Sequence, residues 1–191
     1  MLKGRREWLI LGGLALFLFF AKTPLSFAVS SDDSFTVFDA LFKKYGKRFS
    51  VPWRWLKATA MTESSLGQAK SVRAGILEPK NIEKSVSSDG KSWGLMQTTL
   101  PTAREIAGII VTASWLNVPE NSVRVGAEYF ARMISRFGLS DRESIVRAYN
   151  GGPGFKSTVQ GRTLTPIYYA KWVSNLAVIM QKQPGDELER G

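Results

Sequence analysis

From Ser34 onward, apolar residues recur along the chain at helical spacing. Ser34 reads as the cap of a first helix whose Phe35, Phe38, Leu41, Phe42 and Tyr45 share one face, with Gly46 as its stop. Ser50 followed by Pro52 marks a second start, and that helix runs through Trp53–Met61 to about Ser64. Residues 67–91 show no period, are rich in Ser, Gly and Lys, and read as a long loop. A third helix is predicted from about Pro101 to Gly108, and a fourth opens at Asn117-Val118-Pro119 with Val123, Ala127, Phe130, Ile134 and Phe137 inward. Ser140-Asp141-Arg142-Glu143 is a capping-box pattern for a fifth helix that ends at Tyr149, where Asn150-Gly151-Gly152-Pro153-Gly154 must form a loop. Thr165-Pro166 begins the last helix, apolar through Tyr169, Trp172, Val173, Leu176 and Met180. The pattern predicts one mainly helical domain over 34–182, followed by a polar tail, 183–191, that frays.

The segment before this domain has a different character. Lys3, Arg5 and Arg6 precede an almost unbroken apolar run from Trp8 to Ala21, and a second apolar stretch follows from Pro24 to Val29. Residues 1–29 therefore read as a signal peptide, with Ser26 and Ala28 at the small positions of a cleavage site. They read equally as an uncleaved membrane anchor if the run extends to Val29 and buries Lys22. Either way the basic residues stay cytoplasmic and the domain is exported, which predicts a periplasmic location.

Composition narrows the chemistry. With no Cys and no His, the chain has no thiol nucleophile, no imidazole base and none of the commonest metal ligands, so acid–base work falls to Asp, Glu, Lys or Tyr. No metal and no cofactor is expected. The net charge of +10 favours a polyanionic partner such as an anionic lipid surface, a negatively charged cell wall or nucleic acid. The basic residues are dispersed and not interleaved with aromatics, so no specific nucleic-acid binding is expected.

Among the remaining carboxylates, Glu63 stands out. Leu56, Ala60 and Glu63 fall at i, i+4 and i+7 of the second helix, which turns the carboxyl toward an apolar face. Such a group is expected to have a raised pKa and to suit general acid catalysis, although a solvated helix-end Glu beside Ser64 and Ser65 would fit the same spacing. Two further segments carry groups suited to a ligand. Ser92-Trp93-Gly94-Leu95-Met96-Gln97 places a Gly, an adaptable Met and an amide side chain directly before a helix start. Ala148-Tyr149-Asn150-Gly151-Gly152 ends a helix in a glycine-rich turn that exposes Tyr149 and Asn150.

Taken in order, Met61-Thr62-Glu63-Ser64-Ser65, Gly94-Leu95-Met96-Gln97 and Ala148-Tyr149-Asn150-Gly151-Gly152 resemble the three signature segments of the soluble lytic transglycosylase catalytic domain. Asn117–Asn121 with Val125–Tyr129 is similar to that family's fourth stretch, and Tyr169-Ala170-Lys171-Trp172-Val173 to its C-terminal tyrosine helix. The resemblance covers roughly residues 48–176. It implies an α+β lysozyme-like fold with a sugar-binding groove, acting on peptidoglycan glycan strands. Glu63 would protonate the bond between N-acetylmuramic acid and N-acetylglucosamine, then act as base on the muramoyl O6 hydroxyl to close a 1,6-anhydro ring. One carboxylate suffices in that family, unlike the two of most glycosidases. By the same resemblance Ser64, Gly94, Met96, Gln97, Tyr149, Asn150 and Tyr169 would bind substrate, Tyr169 lying near the Glu63 carboxyl.

The chain departs from the family pattern between Glu63 and Gly94, where the connection is longer and holds Ser87-Ser88-Asp89-Gly90-Lys91-Ser92-Trp93. Glu78, Glu83 or Asp89 could there supply a second carboxylate and make a muramidase-type hydrolase, although solvated loop charges are the plainer reading. A wall-binding or assembly protein that holds glycan without turnover is the remaining alternative. The size and the apolar N-terminus suit a component of an envelope-crossing machine, such as a phage ejection, conjugation or secretion apparatus, with the membrane contacted through residues 1–29.

Overall fold

The computed structural model describes residues 31–69 and 90–184. The first apolar face is carried by two helices, α1 (Ser31–Thr36) and α2 (Asp39–Phe49), where the sequence pattern predicts one. Ser34 lies inside α1 and is not its cap, and Gly46 lies inside α2 and does not stop it. Gly46 is instead a contact point: a Cβ there would sit 2.7 Å from the Val51 carbonyl and 3.2 Å from Trp53. The stop comes at Ser50, in the left-handed region, whose N–H caps the Gly46 carbonyl. Pro52 then leads into α3 (Trp53–Ser64), which buries Leu56, Ala58 and Ala60 completely.

A short antiparallel hairpin follows, β1 (Ser92–Trp93) with β2 (Thr98–Thr99), in register Ser92↔Thr99 and Trp93↔Thr98. The helical pattern does not announce these strands, because each is only two residues long. Thr99 caps α4 (Leu100–Ala107), and α5 (Ala113–Leu116) is a single turn capped by Thr112. Pro119 opens the long α6 (Pro119–Phe137), as its N1 preference predicts. The next helix, α7 (Arg142–Gly151), is capped by Asp141, whose carboxylate accepts from the Ser144 N–H at 3.0 Å; Ser140 is outside the cap. After a 3₁₀ turn at Phe155–Ser157, α8 (Val159–Lys182) starts at a Thr158 cap, well before the predicted Thr165-Pro166. Pro166 thus sits inside α8. It and Arg162, whose carbonyl loses its helical partner, are both exposed, so water can replace the missing bond.

Helix α8 packs against α3 and α7, α6 packs against α2 and α7, and α2 packs against α3, so these five helices enclose the core. The main core gathers Phe42, Leu56, Leu95, Met96, Phe130, Ile145 and Trp172. A smaller cluster of Ala103, Ile106, Val111, Leu116 and Val125 joins α4 and α5 to α6. A polar clasp closes the far end of the bundle. Lys57 of α3, fully buried, pairs with Asp39 at 2.7 Å and donates to Gln183 Oε1 at 2.8 Å. Gln183 in turn donates to Asp39 Oδ2, and its carbonyl accepts from Arg54. Burial pushes the Lys57 ammonium below its ordinary pKa while the Asp39 charge works against that shift. Residue 183, assigned above to a fraying tail, is therefore tied to α2 and α3.

No helix among the described residues is long and apolar enough to cross a membrane. The N-terminal signal or anchor segment lies outside the described residues, as do Glu78, Glu83 and Asp89.

Candidate active site

Glu63 occupies the last turn of α3 and is half-buried. Its Oε1 accepts a hydrogen bond from the Tyr168 hydroxyl of α8 at 2.8 Å. Tyr149, on the last turns of α7, lies close enough for the Glu63 charge to act on it, and its hydroxyl donates to the Met96 carbonyl at 3.0 Å. Burial pushes both phenols well above the ordinary tyrosine pKa, and the negative charge of Glu63 pushes them further in the same direction. Both therefore remain neutral hydrogen-bond donors across the physiological range. Tyr129 of α6 and Phe130 pack on the Tyr149 ring with centroids at 5.4 and 5.3 Å, which holds the phenol in place.

The backbone around Gly94–Gln97 is shaped by packing. Gly94 has φ +76°, and a Cβ there would run into the Leu116 carbonyl and come within 2.7 Å of Ser122 Oγ. Only glycine meets both demands. Ser122 Oγ accepts from the Met96 N–H at 2.9 Å, and the Met96 side chain lies fully buried against Gly126. Gln97 also adopts a left-handed conformation, φ 48°, unusual for a residue with a side chain, and its amide nitrogen donates to the Gly94 carbonyl at 2.7 Å. Ser64 Oγ lies 2.7 Å from the Leu95 carbonyl and 3.0 Å from that of Ala60, and accepts from the Gly67 N–H. It staples the end of α3 to the hairpin.

These placements revise several sequence-based assignments. Ser64, Gly94 and the Met96 side chain are packing elements, buried and satisfied within the protein, because the hairpin turn must press onto α3, α5 and α6. Asn150 is exposed, on the final turn of α7 and not in a loop beyond it. The tyrosine at the Glu63 carboxyl is Tyr168. Tyr169 points elsewhere, stacking on Trp172 at 6.4 Å and lining a hollow with Trp55 and Ser140–Glu143. Sequence reasoning missed Tyr168, although a signal existed. Tyr168, Lys171 and Asn175 recur at i, i+3 and i+7, a polar stripe bordering the apolar Trp172, Leu176 and Ile179.

Chemically, the cluster presents one half-buried carboxyl steadied by a neutral phenol, with a second phenol and the exposed Asn150 close along the chain. A carboxyl held in this way can give up a proton and take one back without reorienting. The Tyr168 bond to a carboxylate is of the charge-assisted kind, worth about 1.5–3 kcal/mol. On the activity expected from the sequence, Tyr168→Phe should lower turnover of cell-wall substrate by about ten- to a hundredfold and the thermal midpoint by several degrees. Initial rates of turbidity clearing alongside a melting curve check this; a variant as fast as the parent would remove Tyr168 from the site.

Membrane-bound lytic murein transglycosylase F of Aliivibrio fischeri is 31% identical over 132 residues, 66% of this chain and 22% of the relative. The protein of the same name from Vibrio parahaemolyticus is 30% identical over 170 residues, 83% of this chain and 27% of the relative. The chain thus spans about a quarter of the length of these relatives. The model of the transglycosylase SLT domain matches residues 40–168, a stretch that includes Glu63, Gly94–Gln97, Tyr149 and Tyr168. On that match, over more than half of its length, the chain belongs to the transglycosylase SLT domain family.

Proposed function

We propose that the protein is a peptidoglycan lytic transglycosylase of the bacterial envelope and that Glu63 is its acid and base. The observation that carries this reading is the half-buried Glu63 carboxyl held at 2.8 Å by the Tyr168 hydroxyl, within the segment that matches the family. In the first step the Glu63 carboxyl gives its proton to the oxygen linking N-acetylmuramic acid to N-acetylglucosamine, and the C1–O bond breaks with its electron pair going to that oxygen. In the second, the Glu63 carboxylate takes the proton of the muramoyl C6 hydroxyl while O6 bonds to C1. No water is consumed. One carboxyl serves both steps, so its orientation must persist between them, and a neutral phenol that keeps its proton throughout is suited to that task.

Gln97, Tyr149 and Asn150 are the groups we assign to substrate contact; the names of the relatives point to the same polymer, murein. Mass spectrometry of digested sacculi is the direct test. The expected products end in 1,6-anhydro-N-acetylmuramic acid. Reducing N-acetylmuramic ends would identify a hydrolase and sink the transglycosylase reading.

A further inference from the structure

Helix α3 ends without a basic residue in its own last turn, although its free carbonyls there form the negative end of a helix dipole. Helix α8 supplies what is missing. The Lys171 ammonium donates to the Thr62 carbonyl at 2.7 Å, and Asn175 Nδ2 donates to Thr62 Oγ1 at 2.9 Å. Thr62 Oγ1 itself donates to the Ala58 carbonyl at 2.7 Å, so the side chain and backbone of Thr62 are held from both sides. Thr62 immediately precedes Glu63, and the residue gripping Glu63 is Tyr168, on the same stripe of α8 as Lys171 and Asn175.

We propose that Lys171 and Asn175 are positioning residues for Glu63: they clamp the last turn of α3 through Thr62, and the Lys171 charge sets the pH range over which the Glu63 carboxyl works. The inference rests on reading Glu63 as the acid and base. A carboxylate at the carboxyl-terminal end of a helix is disfavoured by the dipole, and an ammonium on the neighbouring carbonyl offsets that effect. Among the titratable groups facing Glu63 are Tyr168 on α8 and Tyr149 on α7, with Tyr129 of α6 packed behind Tyr149. All three are phenols held neutral by burial, with the Glu105 charge also acting on Tyr129, and Lys171 brings an ammonium to the helix end that carries Glu63.

The test uses the full chain acting on purified sacculi, with turnover followed from pH 4 to 9 for Lys171→Met, Lys171→Gln and Lys171→Arg, and Glu63→Gln as reference. Lys171→Met is expected to lower kcat about tenfold with KM unchanged, and to move the alkaline limb of the profile upward by about half a pH unit. Lys171→Gln keeps a donor but no charge; it should recover most of kcat and retain the displaced limb. Lys171→Arg should restore both. Asn175→Leu should lower kcat and leave the limb in place. A purely structural Lys171 would reduce the folded fraction and leave the limb where it was in every variant, which would overturn the proposal. If Lys171→Met does not fold, the Gln and Arg variants decide the matter by the position of the limb alone. Should Glu63→Gln retain parental activity, the reading of Glu63 fails first, and the Lys171 proposal with it.

Discussion

On the proposed reading, Glu63→Gln is expected to lower the clearing of purified sacculi by about a thousandfold, within the range over which a positioned general acid and base contributes. The substitution keeps the shape of the side chain and an acceptor for the Tyr168 hydroxyl, so the melting curve stays close to that of the parent. What is lost is a proton that can be given and recovered. The chain contains no His and no Cys, so no imidazole or thiol can assume the role. Clearing rates within tenfold of the parent would mean that another group performs the chemistry and that the Tyr168 bond serves packing alone.

The second large effect is on stability. Trp172 is fully buried between α3 and α8, edge-on to Trp55 at 5.9 Å and stacked on Tyr169 at 6.4 Å. Its indole N–H donates to Thr59 Oγ1 at 3.0 Å. Trp172→Ala removes a large volume from the contact that joins the helix bearing Glu63 to the helix bearing Tyr168, and a buried Trp→Ala change costs about 3–5 kcal/mol. For a domain whose total stability is about 5–15 kcal/mol, this leaves little margin. The thermal midpoint, followed by circular dichroism, is expected to fall by about 10–15 °C on the scale for a domain of this size. Trp172→Phe, which keeps an aromatic ring and loses the indole N–H, should fall by less than half as much. A midpoint within about 3 °C of the parent for Trp172→Ala would show that α3 and α8 are held together from elsewhere.

Much of this architecture is legible in the sequence because helices write their burial at a period of 3.6. Helix α6 opens at Pro119 and α3 ends at Ser64, both as the apolar spacing and proline placement indicate. The misreadings have specific physical origins. Pro166 reads as a helix start because proline favours N1; here Thr158 caps earlier and the helix tolerates proline on its wet side. Ser140 and Asp141 are both good caps, and sequence spacing does not separate them. The hairpin at 92–99 is too short to show a period of two. At the site, Glu63 is visible by its face and its neighbours, yet the choice between Tyr168 and Tyr169 depends on about 100° of helical rotation. Met96 and Gly94, which look suited to ligand contact, are consumed by packing against Gly126, Leu116 and Ser122, a tertiary fact with no local trace.

The distance along the chain between the carboxyl and its phenol has a consequence for biogenesis. Glu63 and Tyr168 are 105 residues apart in sequence, and the clasp that seats the end of α8 joins residue 183 to residues 39, 54 and 57. A chain that emerges N-terminus first carries its acid long before the helix that aims it, and long-range closures of this kind come late in folding. On the proposed reading, a chain still being made would hold its acid before the helix whose phenol steadies it, and activity would come with the docking of α8.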